Sequence, residues 1–268
     1  MYELIDSGEG KKFEKFGPYS LIRPCPQAIW KKSFPEKWQG ASAEFSRETK
    51  GGWSVAGKWP KSWTAEVGGV TFKIAPTDFG HLGVFPEHAK LWQDLRPLCK
   101  EANILNLFAY SGGATLGFAQ EGAKVCHLDA SKGMVDWARE NAALNRLEKA
   151  PIRWIVDDAI KFLRREEKRQ IRYDGILLDP PTFGRGSKGE VFKIEEDLTS
   201  LLELCRRVLS HTPRFLVLSC HTPGVTPVAL RNIVEQMFSK GRIETGEMLL
   251  TSSGALSIPS GSYIKVFL

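Results

Sequence analysis

The feature that most constrains the fold is an alternation of short apolar runs with amphipathic segments, from about residue 103 to residue 240. Apolar runs of this length suit buried strands, and apolar residues at helical spacing suit helices. The predicted strands are 104–107, 124–129, 152–156, 173–179 and 214–220. The predicted helices are 114–121, 131–145, 158–169, 195–210 and 228–240. This order predicts an α/β fold, a doubly wound parallel sheet with helices on both faces.

The two ends of the chain lack the alternation of strands and helices. Residues 243–251 and 262–267 read as strands with no helix between them, so they predict an antiparallel pair at one sheet edge. Six of the eight tryptophans lie in residues 1–97, where 62–67 and 70–74 read as a hairpin across Gly68-Gly69. We therefore predict a small β-rich domain over 1–97, which is a possible substrate-binding domain, and a second domain over 98–268. The tryptophans of residues 1–97 are better suited to the core of a small domain than to base stacking.

Composition narrows the class of protein. Hydrophobic residues make up 42% of the chain, and no stretch approaches the ~20 apolar residues of a membrane span. The five cysteines form no Cys-x-x-Cys pair, which argues against a disulfide framework or a zinc site and favours a reducing, cytoplasmic setting. The net charge of +6 fits either contact with RNA or ordinary charge scatter. We predict no metal and no membrane partner, and no oligomeric state is predicted.

Ligands of an open α/β sheet bind beyond the carboxyl ends of its strands. The first predicted strand is followed by a loop with two glycines, 108–113, which lacks the Gly-x-Gly-x-x-Gly fingerprint of dinucleotide sites. Asp129 follows the second strand, and Asp157 and Asp158 follow the third. Each of these carboxylates suits either a nucleoside or the cap of the next helix. Their repetition at successive strand ends favours a nucleoside-like ligand.

The fourth and fifth strands lead to the strongest local signals. Asp179-Pro180-Pro181-Thr182-Phe183 is a stiff loop with a carboxylate and two carbonyl acceptors, and its Phe183 suits stacking on a planar base. Cys220 follows as a nucleophile for a covalent route, although a cysteine at a strand end is more often a buried small residue.

Together these motifs resemble those of class I S-adenosylmethionine-dependent methyltransferases, and within that class the bacterial family that methylates large-subunit ribosomal RNA. The resemblance runs over residues 66–221 and includes the loop 81–87. It implies a Rossmann-like seven-stranded sheet that ends in an antiparallel hairpin. It also implies S-adenosylmethionine as cofactor and ribosomal RNA as partner.

The resemblance also assigns roles by position. The loop 108–113 would hold the methionine moiety, Asp129 the ribose hydroxyls and Asp158 the adenine edge. The full set of implied cofactor-binding residues is Phe85, Glu87, Phe108, Ala109, Tyr110, Ser111, Gly112, Gly113, Asp129, Ala130, Ser131, Asp157, Asp158, Ala159, Asp179, Pro180 and Pro181. The implied catalytic residues are Asp179, Phe183 and Cys220.

Several hypotheses follow for the acceptor. Methylation of cytosine carbon 5 in ribosomal RNA, with Cys220 as nucleophile, is slightly favoured. Methylation of a nitrogen of an RNA base is the alternative, since the Asp-Pro-Pro-Thr-Phe loop also occurs in relatives with that activity, and a non-RNA acceptor is a third. A nicotinamide-dependent oxidoreductase and a catalytically silent RNA-binding module are less consistent with the motifs.

Overall fold

The computed structural model describes residues 1–48, 52–186, 189–239 and 241–268, and these divide into two units. One unit comprises Met1–Ala89 and the returning segment Leu249–Ser260. The other comprises Lys90–Met248 and Gly261–Leu268. The returning segment joins the N-terminal unit because Leu250 and Ile258 pack with Leu4 in one buried cluster.

The N-terminal unit consists mainly of strands. Five of them form one sheet in the order β1-β2-β3-β4-β5: β1 (Tyr2–Gly8), β2 (Lys11–Phe16), β3 (Tyr19–Pro24), β4 (Ala43–Phe45) and β5 (Trp53–Val55). A separate hairpin, β6 (Trp63–Val67) and β7 (Val70–Ile74), turns through Gly68 and Gly69, whose φ angles are 58° and 80°. Positive φ at both turn positions is the geometry that two glycines permit, so the predicted hairpin is confirmed.

The second unit carries the alternating elements. In chain order they are α1 (Ala89–Leu95), β8 (Asn103–Leu107), α2 (Gly113–Ala119), β9 (Lys124–Asp129), α3 (Lys132–Leu144), β10 (Ile152–Val156), α4 (Ala159–Lys168), β11 (Gly175–Leu178), β12 (Phe183–Arg185), β13 (Val191–Lys193), α5 (Ile194–Arg207), β14 (Phe215–Cys220), α6 (Pro227–Met237), β15 (Arg242–Leu250) and β16 (Ile258–Phe267). Helix α6 ends before Lys240, the predicted end, which lies outside the described residues.

The large sheet has seven strands in the order β10-β9-β8-β11-β14-β16-β15. Strands β10, β9, β8, β11 and β14 pair in parallel, whereas β14 and β16 pair antiparallel. The predicted doubly wound sheet, with its antiparallel C-terminal strands, is therefore confirmed. The buried cluster on one face of this sheet joins strand residues such as Leu107 and Leu178 to residues of α4, α5 and α6, including Leu202.

The strand order reverses between β8 and β11, because the chain runs outward from β8 first through β9 and β10 and then through β11 and β14. A crevice at such a switch point is where open α/β sheets bind ligands. None of the helices in the described part of the chain is both long and apolar enough to cross a lipid bilayer.

Candidate active site

The strand register brings the predicted site residues to one edge of the large sheet. Leu107 pairs with Leu128 on one side and with Leu178 on the other, and Leu178 pairs in turn with Leu218. The residues that follow these four leucines therefore start at one level, at the carboxyl ends of the parallel strands. They are Phe108, Asp129, Asp179 and Ser219.

The loop after β8 has an unusual backbone. Phe108 and Tyr110 have φ angles of 54° and 50°, and Gly112 has a φ of 93°. Non-glycine residues seldom adopt positive φ, and residues held in this region cluster at ligand sites. The loop is fixed from α3, where the buried Asn141 donates from Nδ2 to the Ser111 carbonyl at 2.9 Å.

Gly112 also meets a steric requirement. An ideal Cβ at this position would lie 3.1 Å from the Cβ of Ala138 on α3, so a side chain here would crowd that helix. Ala109 is anchored by its amide, which donates to the Leu128 carbonyl at 3.0 Å. The loop is thus a tight, braced turn directly before α2, which suits close approach of a ligand to the backbone.

Asp129 organises the neighbouring strand end. Its Oδ2 accepts from the Tyr110 amide and its Oδ1 from the Ser131 amide, each at 2.9 Å. Burial raises the pKa of Asp129 above its ordinary value, despite these two hydrogen bonds. Each carboxylate oxygen retains a further lone pair, so the group can also accept from a pair of ligand hydroxyls. Ala130 links Asp129 to Ser131, and Ser131 caps α3 by accepting from the Met134 amide.

Asp157 and Asp158 have structural partners at the end of β10. Asp158 directly precedes Ala159, the first residue of α4, and caps the helix. Its Oδ1 accepts from the Lys161 amide at 2.8 Å. Asp157 accepts from the Asp158 amide at 2.9 Å and pairs with Arg165. Asp158 is therefore the cap of α4, whereas Asp157 binds the adjacent amide and Arg165 and does not cap the helix. The adenine-binding role of both residues stays a prediction.

The Asp179 loop is tied to the end of β14. Ser219 Oγ donates to Asp179 Oδ1 at 2.7 Å, and His221 Nε2 lies 3.8 Å from the same oxygen. The hydroxyls of Thr182 and Thr222 are 2.8 Å apart and hold the two segments together. Strand-end polar residues from β11 and β14 therefore fix the carboxylate at the sheet edge.

Phe183 begins the short hairpin of β12 and β13 and is 50% exposed. The Arg185 guanidinium lies 5.6 Å from its ring centre. Pro181 supports the turn, since a Cβ on Gly184 would approach the proline ring to 3.2 Å. An exposed aromatic ring beside a cation, on a loop stiffened by two prolines, is suited to stacking on a base.

Cys220 lies on the opposite side of β14 from Ser219, as strand alternation requires. It is 1% exposed and belongs to the apolar cluster with Leu218 and Leu178. Burial raises the pKa of its thiol, and the thiol sulfur accepts from the Thr222 amide at 3.4 Å. The thiol is thus packed in the core and protonated at neutral pH.

A buried polar cluster beneath the loop was not predicted. Thr115 Oγ1 lies 2.9 Å from Asn106 Nδ2 and 2.9 Å from His127 Nδ1, and all three side chains are buried. Burial lowers the pKa of His127 to about 3, so the imidazole is neutral. The cluster connects β8, α2 and β9, the three elements that carry the loop and Asp129.

Phe85 and Glu87 belong to the N-terminal unit, where the Phe85 ring contacts His81 at 5.5 Å between ring centres. Glu87 Oε2 is buried and has no hydrogen-bond partner among the described residues. A buried carboxylate oxygen without a partner is suited to a cationic or donor group. The role of both residues in cofactor binding stays a prediction.

Comparison with known proteins decides the family. The family model of S-adenosylmethionine-dependent methyltransferases matches residues 50–234. The chain belongs to this family. A crystal structure of an S-adenosylmethionine-dependent methyltransferase from Agrobacterium tumefaciens is 36% identical, with a TM-score of 0.95, and the alignment covers 99% of this chain and 90% of that one. A Streptococcus mutans methyltransferase structure, 18% identical with a TM-score of 0.78 over 100% of this chain and 75% of its own, shares the fold.

Curated relatives of this methyltransferase match part of the chain. The ribosomal RNA large subunit methyltransferase K/L of Pseudoalteromonas atlantica is 36% identical over 136 residues, which is 50% of this chain and 19% of the relative. The protein of the same name from Psychrobacter is 31% identical over 170 residues, 62% of this chain and 20% of the relative. The chain thus spans about a fifth of the length of these relatives.

The site fits S-adenosylmethionine, which is the cofactor of the family. The tight turn 108–113 would allow the cofactor to approach the backbone closely, and Asp129 would offer it carboxylate oxygens. The bound cofactor supplies a methyl group on a sulfonium, which is already a strong electrophile. The protein's own residues therefore mainly bind, orient and exclude water.

Proposed function

We propose that this methyltransferase methylates a base of ribosomal RNA, at a nitrogen atom. The RNA substrate is supported by the curated relatives, whose name describes methylation of large-subunit ribosomal RNA. The choice of nitrogen rests on one observation, the different surroundings of Asp179 and Cys220 on adjoining strands.

Asp179 suits the non-covalent reaction. The Ser219 hydroxyl fixes one of its carboxylate oxygens, so the group has a defined orientation at the sheet edge. A carboxylate there accepts an N–H of the target base and orients the nitrogen lone pair. It can also take the proton that the nitrogen releases after methylation. Because Pro180 and Pro181 have no N–H, the loop that follows Asp179 presents acceptors to the base rather than donors.

Cytosine carbon 5 requires a covalent bond from a thiolate to carbon 6 of the ring. Cys220 is the thiol at the matching position, but its side chain is 1% exposed and packs among leucines. Its raised pKa keeps it protonated. These surroundings support nitrogen methylation over methylation at carbon 5, which the sequence slightly favoured.

The test compares Cys220→Ala with Asp179→Asn in a labelled methyl-transfer assay on ribosomal RNA from a strain that lacks the gene. Cys205→Ala is the matched control, because Cys205 is a buried cysteine in the same cluster. We expect the two cysteine variants to retain kcat within about threefold of the wild type. Asp179→Asn should lower kcat by about 10²- to 10⁴-fold, the usual range for removal of a general base.

Loss of turnover in Cys220→Ala, with activity retained in Cys205→Ala, would refute nitrogen methylation and restore the covalent route. Full activity of Asp179→Asn would remove the carboxylate from the mechanism. Failure of the wild type to label any ribosomal RNA, with cofactor binding intact, would reject ribosomal RNA as the acceptor.

A further inference from the structure

The N-terminal unit presents an exposed aromatic side chain on a fixed turn. Phe79 is 79% exposed, the highest value for an aromatic residue among the exposed large hydrophobics of the described chain. It occupies the third position of a turn that is closed by the Gly80 amide, which donates to the Thr77 carbonyl at 3.0 Å. Most of the surface of the Phe79 ring is therefore open to a planar ligand.

Several contacts brace this turn. The Trp53 indole N–H donates to the Thr77 carbonyl at 2.9 Å, and Arg23 Nη1 donates to the Gly80 carbonyl at 3.1 Å. Arg23 is itself fixed by Glu14, which is fully buried and accepts from Arg23 Nη2 at 2.7 Å. These contacts hold the backbone of the turn that carries Phe79, so a ligand that contacts Phe79 would not have to order the turn.

A row of aromatic rings continues from the turn. Gly80 lies against Phe45, because a Cβ at Gly80 would be 2.6 Å from that ring. Ring centres are then 5.2 Å apart for Phe45 and Trp53, 5.8 Å for Trp53 and Trp59, and 5.7 Å for Trp59 and Tyr19. Trp53, Trp59 and Tyr19 are half-buried, so the row is partly open to solvent. We call Tyr19, Phe45, Trp53, Trp59 and Phe79 the aromatic row.

Exposed cations lie next to members of the row in the sequence. Lys58 and Lys61 flank Trp59 and are exposed, and Arg47 is exposed two residues after Phe45. The stretch 53–65, which carries Trp53 and Trp59, contains these two lysines and no acidic residue. Two exposed acidic residues are also present, Asp78 next to Phe79 and Glu48 next to Arg47. Aromatic rings combined with cations are the surface that proteins use to bind single-stranded nucleic acid.

We propose that the aromatic row binds a single-stranded segment of RNA, with unpaired bases stacked on Phe79 and Trp59 and phosphates neutralised by Lys58 and Lys61. A duplex would not serve, since its bases are stacked on each other and offer no free faces. The inference rests on the proposed function in that RNA is the acceptor, and it adds the form of RNA that the N-terminal unit holds.

The test is binding of a fluorescent, unstructured oligouridylate to the full chain, measured by anisotropy without cofactor. Phe79→Ala and Trp59→Ala should each weaken binding by about 5- to 150-fold, the range for removal of one stacked base. Ile29→Ala is the matched control, because Ile29 is 85% exposed in the same unit and is outside the row. It should bind like the wild type.

The charges are tested separately. Replacing both Lys58 and Lys61 by alanine should lower the slope of log affinity against log salt by about 0.7 for each phosphate that is no longer neutralised. Lys31→Ala, at an exposed lysine of the same unit, should leave the slope unchanged. Asp78→Asn should tighten binding, because it removes a negative charge beside the phosphates.

Oligouridylate binding that is equal in Phe79→Ala, Trp59→Ala and the wild type would overturn the proposal, whatever RNA is methylated. Equal affinity for a hairpin duplex would also overturn it. The proposal would likewise be overturned if the protein bound anionic phospholipid vesicles through Phe79 and did not bind oligouridylate. Conversely, row-dependent RNA binding by a protein that labels no RNA would support the surface and refute the proposed function alone.

Discussion

Replacing Thr115 by valine tests the buried cluster beneath the loop 108–113. Thr115 is fully buried, and its hydroxyl oxygen is 2.9 Å from both Asn106 Nδ2 and His127 Nδ1. Valine has nearly the same shape, so the substitution removes the hydroxyl without opening a cavity. Asn106 Oδ1 and His127 Nε2 already have no hydrogen-bond partner among the described residues. The variant would add two more buried polar atoms without a partner.

The expected magnitude follows from those two atoms. A buried donor or acceptor that loses its partner costs about 1–3 kcal/mol. Because relaxation lets neighbouring groups share part of this cost, we expect Thr115→Val to lower the free energy of unfolding by about 2–4 kcal/mol. Thr115→Ser retains the hydroxyl and loses one methyl group, which costs about 1 kcal/mol. His127 is neutral, so neither variant changes a charge pairing.

The assay combines urea denaturation with hydrogen exchange. Denaturation gives the change in free energy, and exchange of the β8 and β9 amides shows whether the loss is in the large sheet. Binding of S-adenosylhomocysteine should weaken more in Thr115→Val than in Thr115→Ser, because the cluster connects the elements that carry the loop and Asp129. A valine variant as stable as the wild type, alongside a less stable serine variant, would refute the reasoning.

Two further predictions concern the same unit. Gly117→Ala should destabilise this unit by about 1–3 kcal/mol, because the new Cβ would lie 2.8 Å from the Trp92 ring. Gly133→Ala should stabilise it by roughly 0.5–1 kcal/mol, because the nearest atom to its Cβ is the Ser131 hydroxyl oxygen at 3.9 Å. Thermal unfolding compares the two variants. Affinity for S-adenosylhomocysteine should fall as pH falls through the raised pKa of Asp129, because ligand hydroxyls favour the carboxylate, and Asp129→Asn should remove that dependence in calorimetry. In the unliganded protein the sign is reversed, since a raised pKa gives a stabilising contribution that is lost as pH rises.

Much of the fold could be predicted because the large sheet is locally encoded. Its central strands β8 and β11 are buried on both faces, so they are short apolar runs such as 104–107, and amphipathic helices separate the parallel strands. The position of Asp129 and Asp179 at one sheet edge could be predicted because the carboxyl ends of neighbouring parallel strands lie together. The returning segment Leu249–Ser260 could not be assigned, since only packing against Leu4 places it in the N-terminal unit.

Contacts between residues that are far apart in the sequence could not be predicted. Ser219 binds Asp179 across 40 positions of sequence, and no local pattern joins them. The adjacent Cys220 was a candidate nucleophile from its position alone. Whether Ser219 or Cys220 faces Asp179 depends on the register of β14 against β11. A register shift of one residue would exchange their faces, and the sequence does not specify it. The contact between Thr115 and His127 could not be predicted either, because it forms only when α2 packs on β9.

The identity of the methylated nucleoside separates nitrogen methylation of ribosomal RNA from the other reactions. Ribosomal RNA from a strain that lacks the gene would be incubated with the protein and labelled S-adenosylmethionine, digested to nucleosides and analysed by mass and chromatography. We expect label on one nucleoside, with the methyl group on a base nitrogen and with equal yield from Cys220→Ala. Label in 5-methylcytidine that disappears in Cys220→Ala would contradict the assignment of nitrogen, and absence of any labelled nucleoside would contradict the RNA substrate itself.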